Sequence, residues 1–196
     1  LVGSEMCIRD RDVISQGEAI SGNVIAEIPG ETDEIVLIGG HLDSWDLGTG
    51  AIDDGAGIGI TVGAAKLILD LNKTPRRTIR IVMFGSEEVG LIGAKAYAKK
   101  YRDRLDKHIV GAESDFGAGR IWKFDTNFAQ EKLFLAEAMH KVLEPLGIGR
   151  GDNNASGGPD IGPLRELGVP AVTLKQNGWD YFDYHHTADD LSLIHI

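Results

Sequence analysis

The sequence contains a single cysteine, Cys7, among 196 residues. One thiol cannot form an internal disulfide, and it cannot supply the thiolate clusters that hold many structural zinc ions. Basic residues are also scarce, since 20 Lys and Arg against 30 Asp and Glu give a formal net charge of -10. Nucleic-acid-binding proteins carry clustered positive charge, so we expect no nucleic-acid partner.

Long apolar runs are missing as well. No stretch of the sequence reaches the roughly 18 apolar residues that a membrane-spanning helix needs, so we expect no membrane insertion. The remaining composition, 42% hydrophobic and 26% charged, is typical of one globular domain with a substantial core.

The two ends of the sequence differ in character from the part between them. The segments "LVGSEMCIRDR" and "LSLIHI" resemble translated sequencing-adapter sequence. We therefore expect residues 1–12 and 191–196 to be foreign to the protein. Residues 13–190 would then form one partial domain, truncated at both ends.

Strand-like and helix-like segments alternate between these ends. "EIVLIGGHLDS" and "RTIRIVMFGS" are rich in Val and Ile, whereas "GAGIGITVGAAKLILDLN" and "GLIGAKAYAKKYRDRL" have the apolar period of helices. Repeated strand and helix units predict an α/β fold, with three layers formed by a mostly parallel sheet and helices on both faces. Ligands of such sheets bind beyond the carboxyl ends of the strands.

Acidic and histidine side chains are concentrated at those strand ends and just before the first long helix. They are His41, Asp43, Asp53, Asp54, Glu87, Glu88, Asp115, His185 and His186. Neighbouring anions would repel one another by about 4 kcal/mol per close pair at an effective dielectric constant of about 20. Cations would relieve this repulsion, and carboxylate and imidazole ligands without thiolates suit zinc. The ligands suffice for two zinc ions that share one carboxylate.

Such a site would explain the two adjacent carboxylates in "FGSEEVGLIG". One of Glu87 and Glu88 can bind metal while the other accepts a proton from water. Taken alone, the dipeptide is also compatible with a solvated turn between a strand and a helix. The neighbouring motifs favour the metal site.

Four motifs in order carry a family resemblance: "GGHLDSWDLGTGAIDDGAG", "FGSEEVGLIGA", "ESDFGAG" and "YHHTADD". They resemble the motifs of the co-catalytic di-zinc exopeptidases of metallopeptidase family 28, and "HLDSWD" resembles its plasma glutamate carboxypeptidase-like branch. The resemblance covers the chain from about Asn23 to Asp190 and implies the zinc-exopeptidase fold. It also implies two zinc ions per chain, with these ligands: His41, Asp53, Glu88, Asp115 and His186.

The resemblance assigns a role to each of these residues and to two more. Asp53 would bridge the ions, His41 and Asp115 would complete one site, and Glu88 and His186 the other. Glu87 would be the general base. Asp43 would lie beside His41 and fix its imidazole tautomer.

Two finer expectations also follow from the resemblance. His186 is favoured over His185 as the ligand because His186, Thr187 and Asp190 reproduce a His-Thr-x-x-Asp pattern. The peptide bond between Asp53 and Asp54 would be cis. From the residues themselves, Tyr181 or Tyr184 is a candidate donor to a reaction oxyanion.

The expected activity is di-zinc-dependent hydrolysis of peptides or dipeptides near a free terminus, by an aminopeptidase, a carboxypeptidase or a dipeptidase. The alternatives are a glutaminyl cyclase-like acyltransferase with one zinc ion, and a non-catalytic peptidase-like binding domain. Such binding domains usually lose ligands, and none is lost here. The resemblance further implies an exported parent protein, whereas the oligomeric state stays open.

Overall fold

The computed structural model describes Gly17 and residues 19–191. Of the segments 1–12 and 191–196, which we expect to be foreign, all residues except Leu191 lie outside the described residues. The strands are β1 (Val24–Ile28), β2 (Thr32–His41), β3 (Arg77–Phe84), β4 (His108–Glu113), β5 (Ile121–Asn127), β6 (Gly149–Arg150) and β7 (Ala171–Gln176). The α-helices are α1 (Gly55–Asp70), α2 (Ile92–Lys100), α3 (Leu133–Leu143), α4 (Gly162–Glu166) and α5 (Tyr181–Tyr184). Short 3-10 helices cover Arg102–Lys107, Gln130–Lys132 and Glu144–Leu146.

The strands form one seven-stranded sheet in the order β1, β3, β2, β4, β7, β5, β6. The central strands β3, β2, β4 and β7 are parallel to their neighbours in this group. Antiparallel pairing occurs where β1 meets β3 and where β5 meets β7. The prediction of a mostly parallel sheet is confirmed.

Successive side chains of a strand point to opposite faces of the sheet. Because β3 has apolar side chains on both faces, helices pack against both. On β3, Val82 and Phe84 pack with Ala94 and Tyr97 of α2, in a cluster that also includes α4. Ile81, on the other face, packs against α1. On that same face, α3 packs over β4, β5 and β7. The predicted three-layer architecture is therefore confirmed.

The segment predicted as one helix, "GLIGAKAYAKKYRDRL", is divided in the structure. Helix α2 ends at Lys100, and the chain continues as a 3-10 helix over Arg102–Lys107. The tighter helix buries Leu105 in the core and brings the Arg104 carbonyl within 3.0 Å of His108 Nδ1. Tertiary contacts thus override the continuous helical period.

The register of the parallel strands brings their carboxyl ends to one edge. His41, the last residue of β2, pairs with Phe84, the last residue of β3. On the other side of β2, Gly39 pairs with Glu113 at the end of β4. The segments that follow these strands therefore start close together. Within the described part of the chain, no helix has the length and apolarity needed to cross a membrane.

Candidate metal centre

Asp53 lies at the centre of the site, immediately before α1. Its Oδ1 is 3.2 Å from His41 Nε2, and its Oδ2 is 3.4 Å from His186 Nε2. Asp115 Oδ1 is 3.7 Å from His41 Nε2, and Glu88 Oε2 is 2.9 Å from His186 Nε2. The structure thus brings the other four predicted ligands around Asp53, with His41 and His186 in contact with its two oxygens and Asp115 and Glu88 in contact with those histidines.

Within the part of the chain that the structure describes, two groups of side chains have the spacing of metal ligands, and Asp53 belongs to both. One is His41, Asp53 and Asp115, and the other is Asp53, His185 and His186; in each group the ligand atoms lie within 4.8 Å of one another. His185 Nε2 is 3.5 Å from Asp53 Oδ2, so both histidines reach the shared carboxylate. The contact of His186 with Glu88 favours His186 as the partner of that glutamate.

Asp43 lies beside His41 as expected, but it contacts the His41 ring through its main-chain carbonyl and not through its carboxylate. The Asp43 main-chain carbonyl accepts a hydrogen bond of 2.9 Å from His41 Nδ1, whereas the carboxylate lies 3.8 Å from that nitrogen. The carboxylate instead accepts the main-chain N–H groups of Glu87 and Glu88, at 2.9 and 3.1 Å. Because a carbonyl only accepts, Nδ1 carries the hydrogen and Nε2 is left to face Asp53.

Two further buried carboxylates hold the backbone of the ligand-bearing segments. Asp54 accepts the N–H of His41 at 3.0 Å and caps α1 by accepting the N–H of Gly57 at 3.2 Å. Asp190 accepts the N–H groups of Ile52 and Asp53 at 2.6 and 3.1 Å. Sequence reasoning noted Asp190 only as part of the His-Thr-x-x-Asp pattern and missed this function.

The site concentrates negative charge in a poorly solvated place. Burial raises the pKa of Glu87 to about 7, and the charges of Asp115 and Glu88 act in the same direction. Burial likewise raises the pKa of Asp54 to about 8, with a further contribution from Asp115. The pKa of Glu88 is raised by burial and by the charge of Asp53. These carboxylates would be stabilised as anions by added positive charge.

The histidine at the centre supplies part of that charge. Burial alone would lower the pKa of His41, but its contacts with Asp115 and Asp53 outweigh burial and raise it. Conversely, burial would raise the pKa of Asp53, yet the hydrogen bond and charge of His41 hold it below its ordinary value. Glu88 Oε1 is buried and has no hydrogen-bond partner among the described residues. A carboxylate oxygen in that position, with oxygen and nitrogen donors around it, fits a divalent metal such as zinc.

The backbone around the ligands adopts uncommon conformations. The Asp53–Asp54 peptide is cis, which confirms that expectation, and Asp46–Leu47 is also cis, which was not expected. Ser86 and His186 have φ values of 60° each, in the left-handed region that non-glycine residues seldom occupy. Ser86 directly precedes the carboxylate pair, and His186 is the second residue of the histidine pair.

Two cavities adjoin the ligands. One of about 420 Å³ is lined by Glu87, Glu88, Asp115, Tyr181 and both neighbouring histidines, and it contains the predicted reaction centre. A second cavity of about 500 Å³ shares Asp115 with the first and has largely apolar walls from Phe116, Trp122 and Leu174. Of the two candidate tyrosines, Tyr181 lines the first cavity, whereas Tyr184 lines a smaller one beside it.

Comparison with known proteins agrees with this arrangement. The sequence pattern described as "Peptidase family M28" matches residues 23–196. The chain belongs to peptidase family M28. Carboxypeptidase Q of Rattus norvegicus is 36% identical over 172 residues, which cover 87% of this chain and 36% of the relative. The predicted family is therefore confirmed, and this relative agrees with the predicted carboxypeptidase branch.

Solved structures of M28 proteins show the same fold. A peptidase M28 precursor from Shewanella amazonensis has a TM-score of 0.84 and 57% identity, covering 86% of this chain and 39% of that one. A zinc aminopeptidase from Bacillus subtilis has a TM-score of 0.62 at 22% identity, covering 86% of this chain and 44% of that one, which is a likeness of fold alone. The chain spans less than half the length of each of these relatives.

Proposed function

We propose that this protein is a di-zinc exopeptidase that cleaves peptide bonds near a free terminus of peptides or dipeptides. The observation that carries the proposal is the position of Asp53, whose Oδ1 faces His41 and whose Oδ2 faces His186. One carboxylate between two ligand groups is the arrangement needed to bridge two metal ions. Carboxylate and imidazole ligands without thiolates support zinc as the metal.

The residues divide into two ligand sets. His41 and Asp115 would hold one ion, Glu88 and His186 the other, and Asp53 would contact both. When bound, such ions supply Lewis acidity towards a substrate carbonyl and lower the pKa of water. The protein's own part is to keep the ligand groups at fixed positions. Three of the five ligands, Glu88, His41 and Asp53, are held by main-chain N–H groups that donate to the carboxylates of Asp43, Asp54 and Asp190 respectively.

Glu87 is the residue that would move the proton. Its main-chain N–H is held by Asp43, and its side chain lines the cavity beside Asp115. From there the carboxylate takes a proton from the attacking water and delivers it to the leaving amine nitrogen. The apolar cavity that shares Asp115 with the first offers space for a substrate side chain.

The two alternative functions need less of this site. A glutaminyl cyclase-like acyltransferase that uses one ion does not require a second ligand set, and a binding domain requires no free carboxylate beside the ligands. The presence of both ligand sets, together with Glu87 facing the cavity, favours hydrolysis.

Separate variants of the two glutamates test the proposal. Glu87→Gln keeps the side-chain shape and removes the proton acceptor, so turnover should fall about 10²- to 10⁴-fold with zinc content unchanged. Glu88→Gln should lose zinc more readily and should recover activity in part when zinc is added. Substrates would be dipeptides blocked at the amino end, at the carboxyl end or at neither, which also identifies the terminus recognised. Full activity of both variants would refute the proposed hydrolase function.

A further inference from the structure

Trp45, in the segment between β2 and α1, contacts one of the proposed zinc ligands. Its ring stacks on the His186 imidazole, with centroids 4.9 Å apart and planes inclined by 18°. His185 stacks on the same imidazole at 3.7 Å and 20°. The ring of His186 is therefore packed by two other rings that are nearly parallel to it.

His186 lacks the usual means by which a metal-binding histidine is oriented. Such residues commonly donate their second ring N–H to a carboxylate or a carbonyl. His41 does so, through the Asp43 carbonyl. For His186, the polar contacts within the described part of the chain are made by Nε2, to Asp53 and Glu88, and none is made by Nδ1.

Burial does not hold the His186 ring either. Its side chain is 37% exposed, whereas that of His41 is 1% exposed. His186 has a φ of 60° and lies outside the helices and strands, so no helix or strand restricts the conformation of its side chain. Besides the contacts of Nε2 with Asp53 and Glu88, the stacked rings of Trp45 and His185 are the contacts within the described residues that set the plane of the imidazole.

We propose that Trp45 is a positioning residue for His186: its indole face fixes the imidazole so that Nε2 points at Asp53 Oδ2 and Glu88 Oε2. The consequence for zinc binding rests on the proposed function, but the orientation of the ring does not. Trp45 lies between His41, the last residue of β2, and Asp53, so one stretch of chain would supply two ligands and orient a third from a distant part of the chain.

The proposal predicts a selective effect on metal binding. Loss of a group that orients a ligand typically weakens metal affinity about 10- to 100-fold. Trp45→Leu keeps apolar bulk and removes the ring. It should therefore weaken the binding of one of the two zinc ions by about that factor and leave the affinity for the other unchanged. Trp45→Phe keeps a ring and should retain most of the affinity. Trp179→Leu is the matched control, because Trp179 is 93% exposed.

Two readouts on the full chain separate the possible results. The affinity for zinc alone is measured by competition with a chelator, and the Cε1–H resonance of His186 is measured by NMR in the metal-free protein. We expect Trp45→Leu to shift or broaden that resonance and Trp45→Phe to restore it. Trp45 is 42% exposed, so we expect the variants to fold; Trp45→Gln repeats the test should the leucine variant not fold.

The outcomes distinguish this inference from the proposed function. An unchanged His186 resonance in Trp45→Leu, or equal weakening of both zinc ions, would overturn the role of Trp45. Failure of the unaltered chain to bind zinc would count against the proposed function, and the metal-free resonance would still decide whether Trp45 orients His186.

Discussion

Asp190 joins the segment that carries His186 to the segment that carries Asp53. Its side chain is 3% exposed, and its two oxygens accept the N–H groups of Ile52 and Asp53 at 2.6 and 3.1 Å. Its main-chain carbonyl also accepts the N–H of Thr49 at 2.8 Å. Removal of this carboxylate should therefore loosen the backbone on which the bridging residue sits.

The size of the effect follows from the number of hydrogen bonds lost. A hydrogen bond to a charged group contributes about 1.5–3 kcal/mol, so Asp190→Ala should lower the free energy of unfolding by about 3–6 kcal/mol. Asp190→Asn keeps one acceptor oxygen and should cost about half as much. The neighbouring Asp189 is exposed, so Asp189→Ala should change the free energy of unfolding by no more than about 0.5 kcal/mol.

Urea unfolding of the metal-free chain measures these differences without a contribution from bound metal. Hydrogen exchange at the amides of Ile52 and Asp53 supplies a local test, because these two groups lose their acceptor in Asp190→Ala. We expect faster exchange at both. An alanine variant of Asp190 that is as stable as that of Asp189, with unchanged exchange at both amides, would refute the reasoning.

Further predictions concern the helix beside the site and a buried histidine. A Cβ atom at Gly57 would collide with the main-chain oxygen of Ser114, so Gly57→Ala should destabilise the fold by about 1–3 kcal/mol or more; Gly59 faces open space, and Gly59→Ala should stabilise the helix by up to about 1 kcal/mol in the same urea assay. Burial lowers the pKa of His108 below 6.5, so its contribution to stability is present above that pH and is lost as the pH falls through the lowered value. His108→Asn should therefore reduce the slope of unfolding free energy against pH between about pH 7 and about pH 5; an identical slope would contradict this.

The position of the site could be predicted from the sequence because it depends on a general property of parallel sheets. His41 is the last residue of β2, Glu87 follows β3 and Asp115 follows β4, and parallel strands end at the same edge. The separate roles expected for Glu87 and Glu88 follow from the family resemblance, since composition and hydrophobic period do not distinguish these two residues.

Other features depend on contacts that no local pattern records. The Asp43 carboxylate accepts the main-chain N–H of Glu87, 44 positions away in the sequence. The Asp190 carboxylate accepts that of Ile52, 138 positions away. Trp45 and His186, whose rings stack, also lie far apart in the sequence. Such contacts are set by the packing of loops, which hydrophobic periodicity does not describe.

The number of zinc ions per chain tests the central claim most directly. It would be measured by elemental analysis of the zinc-loaded protein after free metal is removed, for the unaltered chain and for Asp53→Asn. Asp53 belongs to both ligand groups, so we predict two zinc ions in the unaltered chain and weakened binding of both in the variant. A single ion in the unaltered chain, or a variant that loses one ion and retains the other at full affinity, would contradict a bridging role for Asp53.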